Sequence, residues 1–173
     1  MGVVLSQNVE IHENFVRGDH MKITTILLTL AAVFAAVAVG FAAEVNIGTW
    51  KLNDAKSKNV SDEKNFTLVI AAAGENVKIT EDGLYANGKP WHEEWTGKFD
   101  GKDYPVTGDP DTDTRAYKPV NDHTLAIAAK KGGKTVVTGR VVYSADGKTR
   151  TVTENVTNAN GTKTAVTEVF GKQ

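Results

Sequence analysis

After residue 44 the chain alternates apolar and polar positions with period two, the pattern of strands that turn one face inward and one to solvent. Phe66-Thr67-Leu68-Val69-Ile70 is one such run, and Thr135–Tyr143 is another. In Thr149–Thr157, Arg150, Val152, Glu154 and Val156 share one face, while Thr151, Thr153, Asn155 and Thr157 share the other. Between the runs stand tight-turn signals: Gly74-Glu75-Asn76, Asn87-Gly88, Asp100-Gly101, Asn121-Asp122, Gly132-Gly133, Asp146-Gly147 and Asn160-Gly161. Asn-Gly and Asp-Gly supply the positive φ angles that two-residue hairpins need. No stretch after residue 44 keeps a helical period. Asp54–Lys64, charged and Lys-rich, reads as a loop with at most one turn.

Strands joined by tight turns pair with their sequence neighbours. The expected fold is therefore all-β, an antiparallel up-and-down meander of about 8–10 strands that closes into a barrel, because an open sheet would leave two edges exposed. The first strand is expected at Gly48-Thr49-Trp50-Lys51-Leu52-Asn53, with Trp50 plugging one end of the barrel. The last, Thr164–Phe170, should lie near it. An open, strongly curved sheet or a two-sheet sandwich is the alternative.

The segment before the strands has a different character. Residues 21–43 combine a positive start at Lys22, an apolar Ala/Val-rich run and small residues at Gly40, Ala42 and Ala43, the layout of an export signal. Cleavage after Ala42 or Ala43 is expected, leaving residues 44–173 as a single domain with no membrane span. The alternative is a retained anchor, since Ile23 to Ala43 carries no charge and is roughly long enough to span a bilayer. Residues 1–20 are mixed and mildly acidic, which does not suit the front of a signal peptide. We read Met21 as the start and residues 1–20 as translated upstream sequence. The expected location is the periplasm or the exterior of a bacterial cell.

Composition narrows the function classes. The full chain has 173 residues, 20 Lys+Arg, 21 Asp+Glu and no cysteine. Residues 1–43 account for two of the cations (Arg17, Lys22) and three of the acids (Glu10, Glu13, Asp19), so the remainder is neutral. A neutral domain argues against nucleic acid, whose binding draws on a basic patch. The lack of cysteine excludes disulfides, thiolate metal sites and a lipid-modified cysteine anchor, so stability must come from an ordinary core.

The Gly48-x-Trp50 opening after a leader resembles the first motif of lipocalins and the wider calycin group, and Thr112-Asp113 with Tyr117 loosely resembles the second. That resemblance implies a lipocalin-like barrel that binds small hydrophobic molecules. Four blocks over residues 21–173 resemble a family of small exported bacterial proteins. They are Gly48–Asn53 with Lys56-Ser57-Lys58, Phe99–Pro110, Arg140-Val141-Val142, and Asp146-Gly147-Lys148-Thr149. This second resemblance implies export from a bacterial cytoplasm and brings no catalytic residues with it.

Candidate site residues follow from face-sharing. On a strand Trp91, Glu93 and Trp95 share a face, so an inward orientation gives two indoles on a cavity wall and a buried acid between them. A buried carboxylate needs a partner, and Arg115 or Arg140 could supply it. Arg115, Arg140 and Arg150 lie within strand patterns, where outward is the default. Arg140, between Thr138 and Val142 at two-residue spacing, is the best inward candidate, able to hold a ligand carboxylate bidentately or to pack over Trp50. Trp50, Trp91, Trp95, Tyr117 and Tyr143 then form the wall, with Arg140 or Arg115 as anchor. The plainer reading is that these aromatics simply fill a small barrel, but residues 44–173 hold only three Trp, three Phe and four Tyr, which keeps an underfilled interior in view.

Other patterns carry less. Asp109, Asp111 and Asp113 alternate as in a calcium loop, but Thr114 stands where such a loop needs Gly and Val120 where it needs an acid. The stretch reads as a solvated turn, and no metal is expected. His92-Glu93-Glu94 is not the His-Glu-x-x-His zinc motif, because residue 96 is Thr. The Asn-x-Ser/Thr sequons at Asn59, Asn65, Asn155 and Asn160 fit chance in a Thr-rich chain. No nucleophile triad or phosphate loop occurs, so neither catalysis nor a cofactor is expected. The favoured function is binding of a small hydrophobic or amphiphilic ligand such as a fatty acid. The alternative is a filled barrel that acts on a protein partner through its surface. An open cavity of roughly 300 Å³ or more separates the two.

Overall fold

The computed structural model describes residues 47–60 and 63–173. The expected upstream extension and export signal lie outside the described residues. Ten strands follow one another: β1 (Gly48–Leu52), β2 (Glu63–Ala73), β3 (Asn76–Tyr85), β4 (Pro90–Gly97), β5 (Tyr104–Thr107), β6 (Thr114–Asn121), β7 (Thr124–Lys131), β8 (Lys134–Tyr143), β9 (Thr149–Thr157) and β10 (Lys163–Lys172). Each pairs antiparallel with its sequence neighbours, and β1 pairs with β10 to close the barrel. The closing seam sets Trp50 opposite Lys172 and Leu52 opposite Phe170. No described helix is long and apolar enough to cross a membrane.

The fold is the closed all-β meander that the period-two runs and turn signals predict. The loop after β1 holds one turn, where the Lys56 and Ser57 amides donate to the Asn53 carbonyl at 3.1 Å. It then runs beside β10, with Lys58 bridged to Thr167 and the Asn59 side-chain amide donating to the Ala165 carbonyl at 2.9 Å. The loop thereby becomes part of the wall near one mouth.

One end of the barrel is solid. Trp50 is fully buried and meets Tyr143 edge-on at 5.5 Å. Lys172 Nζ lies 5.2 Å from the Trp50 ring and covers it. Beside this pair, Trp95 stacks on Phe99 at 6.0 Å and meets Tyr117 and Tyr104 edge-on at 5.0 and 5.8 Å. The buried Trp95 indole N–H donates to the Arg115 carbonyl at 2.9 Å, so its polar atom is satisfied inside the apolar packing. Leu68, Ile70, Ile79 and Val141 complete the plug and are at most 2 % exposed.

Candidate functional site

The other half of the barrel is hollow. A cavity of about 470 Å³ opens between the β1–β2, β5–β6 and β9–β10 loops, at Asn59, Asp109–Thr112 and Asn158. Its apolar wall includes Phe66, Trp91, Tyr117, Ile127, Val152 and Val166. Phe66 links Trp91 and Phe170, meeting them edge-on at 4.9 and 5.1 Å. Trp91 can lie flat against the wall because its register partner is Gly83. A Cβ there would come within 2.7 Å of the indole.

The polar part of the wall is built around Arg115, projecting inward from β6. Its guanidinium pairs with Glu93, lies 3.4 Å from Glu81 and 3.6 Å from Asp109, and is largely shielded from solvent. Glu81 and Glu93 face each other across β3 and β4. Asp109 reaches the same group from the β5–β6 loop. It is held by accepting from the Asp111 amide at 2.7 Å and the Thr112 hydroxyl at 2.5 Å. Gly108 lets the loop fold in this way: its φ is +89°, and a Cβ would collide with the His92 carbonyl. Arg150, 4 % exposed, projects inward from β9 with its guanidinium carbon 5.0 Å from the centre of the Phe170 ring.

Burial and the nearby Glu81 and Asp109 charges together outweigh Arg115 and push the Glu93 carboxyl up to about 8. Burial also raises Glu154, against the pull of Arg115 and Arg150. Tyr117 is held well above the usual phenol range, chiefly by burial. A carboxyl raised in the folded state favours folding below its ordinary value of 4.5, and that contribution is lost as pH rises through about 8. Stability is therefore expected to fall between those limits in urea titrations run at several pH values. Glu93→Gln should flatten this slope, and an unchanged slope would show that the carboxyl titrates normally.

The structure sorts the residues expected at the site into three places. Trp91, Arg115 and Tyr117 line the cavity. Trp50, Trp95 and Tyr143 belong to the solid end. Arg140, expected inward, is instead exposed on the outside, where it pairs across to Ala126 and Thr153. Its neighbour at two-residue spacing, Val142, is an apolar residue that faces solvent at 43 % exposure. Arg150, by default outward, is buried in the wall.

Two of the three alternating aspartates, Asp109 and Asp113, bind separate partners. Asp109 turns in to Arg115. Asp113 accepts from Lys131 at 2.8 Å and from the Gly132 amide at 2.7 Å. Among the described residues no group of three His, Asp or Glu side chains is placed to hold a metal ion. His92 lies on the outer face beside Asp82 at 2.7 Å, away from Glu93.

No protein-family model and no curated protein matches the sequence. Among solved structures the chain is similar to a redesigned β-barrel, b11L5F_LGL, at 13 % identity, covering 76 % of this chain and 95 % of that one with a TM-score of 0.43. It is similar to EF1p2_mFAP2b bound to DFHBI at 11 % identity, covering 76 % and 97 %, with a TM-score of 0.44. A third likeness is to lobster apocrustacyanin A1, at 14 % identity, covering 75 % and 62 %, with a TM-score of 0.39. Similarity at this level transfers no function. Strand pairing itself defines the class: among the described residues, a ten-stranded up-and-down antiparallel barrel, solid at one end and hollow at the other.

Proposed function

We propose that the protein is an exported bacterial barrel that binds a small amphiphilic molecule in its hollow half. The cavity of about 470 Å³ carries this reading, since it falls within the roughly 300–1,000 Å³ typical of small-molecule sites. The cavity also combines an aromatic and aliphatic wall with a few inward polar groups, which suits a ligand with an apolar body and a polar head. Two buried donor atoms on the wall, Trp91 Nε1 and Arg150 Nε, have no hydrogen-bond partner among the described residues, and an ordered water in the cavity would satisfy either. Arg115, the expected anchor for a carboxylate, is already surrounded by acids. We read the site as binding rather than catalytic, and the periplasm as its setting because of the leader pattern.

Native mass spectrometry of the protein purified gently from a bacterial periplasm tests the reading. A discrete extra mass that disappears on solvent extraction is expected. Val156→Trp, which fills the wall near the mouth, should lower the bound fraction about tenfold at ligand concentrations near Kd while leaving the far-ultraviolet β signal intact. A clean ligand-free mass, with no shift after incubation with a lipid panel, would sink the proposal and favour a surface-acting barrel.

A further inference from the structure

The charge balance of the cavity identifies the kind of head group it accepts. Among the described residues six carboxylates line it, those of Glu81, Glu93, Asp109, Asp111, Glu154 and Glu168, against two guanidiniums, Arg115 and Arg150. Arg115 is committed to Glu81, Glu93 and Asp109, and Arg150 to the face of Phe170. Even with Glu93 counted as neutral and Glu168 set aside, four described acids face two cations. The surplus sits in a concave, partly apolar space, where field lines are focused and screening by water is weak.

Glu154 is the member of this surplus that lies deep in the wall without a direct partner. No hydrogen bond or ion pair to another described residue reaches its carboxylate, and Arg115 and Arg150 act on it only through space. It stands opposite Gly139 on β8. A Cβ at that position would collide with the Thr153 carbonyl and come within 2.9 Å of Glu154 Cγ, so glycine is what lets β8 lie this close beside Glu154. The aromatic faces of Phe66, Trp91 and Tyr117 share the same cavity and suit a cation as well as an apolar chain. A carboxylate head would instead enter a space already rich in like charge, and its own desolvation would go uncompensated.

We propose that the cavity selects amphiphiles bearing a single protonated amine over anionic ones of the same length, with Glu154 meeting the ammonium group. This rests on the binding role proposed above, and it replaces a fatty acid with an amine as the favoured ligand class.

The test uses decylamine, decanol and decanoate as probes, each below its micelle concentration, titrated into the full chain at neutral pH and low salt. Calorimetry reads the affinities. Decylamine should bind at least about tenfold more tightly than decanoate, with decanol between them. Added salt should shrink the amine preference, because part of the cavity is open to screening ions. Glu154→Gln should lower the amine-to-alcohol affinity ratio by about tenfold. Equal or tighter binding of decanoate, a ratio indifferent to salt in the unaltered protein, or a ratio unmoved by Glu154→Gln in a variant that melts cooperatively would overturn the proposal. Binding of decanol or decanoate without amine preference would remove this inference and leave the binding role standing. Binding of none of the three would remove both.

Discussion

Replacing Trp50 with Ala should lower folding stability by about 3–5 kcal/mol, the range for truncating a large buried aromatic. The side chain is fully buried and packs edge-on against Tyr143 beneath Lys172. Its place on the strand adds to the packing loss. β1 has only five residues, and its register with β10 runs over Trp50, Lys51 and Leu52 alone. Both inward residues of that seam, Trp50 and Leu52, are buried, so the core holds the barrel closed at a short pairing. Without Trp50 the seam loses its main apolar contact, and β2 and β10 are left with weakly paired edges. Urea denaturation at pH 7 measures the effect. Trp50→Phe should lose less than the Ala variant because it keeps part of the ring contact with Tyr143. A loss below about 1 kcal/mol for Trp50→Ala would mean that the surrounding side chains collapse into the space left behind.

The strand order was legible in the sequence because tight turns leave little choice of partner. Each Asn-Gly or Asp-Gly turn joins antiparallel neighbours, and a run of such turns can only meander. Facing was legible wherever apolar residues alternate cleanly, as at Phe66, Leu68 and Ile70, all buried. It was not legible in strands whose inward face carries charge. β9 turns Arg150, Val152 and Glu154 inward, and hydropathy alone does not separate that face from Thr151, Thr153 and Asn155. In β8 the apolar run Val141-Val142-Tyr143 hides the alternation. Arg140 shares the face of exposed Val142, while Val141 and Tyr143 point in.

Glu93 was recognisable from the two tryptophans sharing its strand face. Its acidic neighbours were harder to find because the contacts that unite them are distant in sequence. Asp109 reads locally as an Asp in a turn, and it does accept from the Asp111 amide. Its second role, facing Arg115, depends on the β5–β6 loop folding over the mouth. No local pattern encodes that. Glu81 and Glu154 lie on separate strands, and only barrel closure brings β3, β6 and β9 around one space. The same closure gathers acids from several strands around one cavity, and no described lysine lines it.

Arg115→Met should cost about 3–5 kcal/mol near pH 8, where removing one member of a buried ionic group leaves its partners uncompensated. Arg115 faces Glu81, Glu93 and Asp109 at once, so its loss leaves three carboxyls with no cation among them. The methionine fills most of the aliphatic volume, which keeps packing loss small and isolates the charge effect. The backbone acceptor for Trp95 is untouched, since that bond goes to the residue 115 carbonyl. The pH dependence distinguishes this mechanism from simple misfit. Without the guanidinium, the coulombic pull that holds the Glu93 carboxyl down is lost, so it should bind its proton still more tightly in the folded state. The destabilisation should therefore shrink as pH is lowered toward 5, where the folded cluster can neutralise itself by protonation. Adding Glu93→Gln to Arg115→Met should recover part of the loss at pH 8 by removing one of the clustered charges. Thermal and urea unfolding of the single and double variants at pH 5 and pH 8 measure both effects. A loss of equal size at the two pH values, with no recovery in the double variant, would show that Arg115 supports the barrel through shape rather than charge.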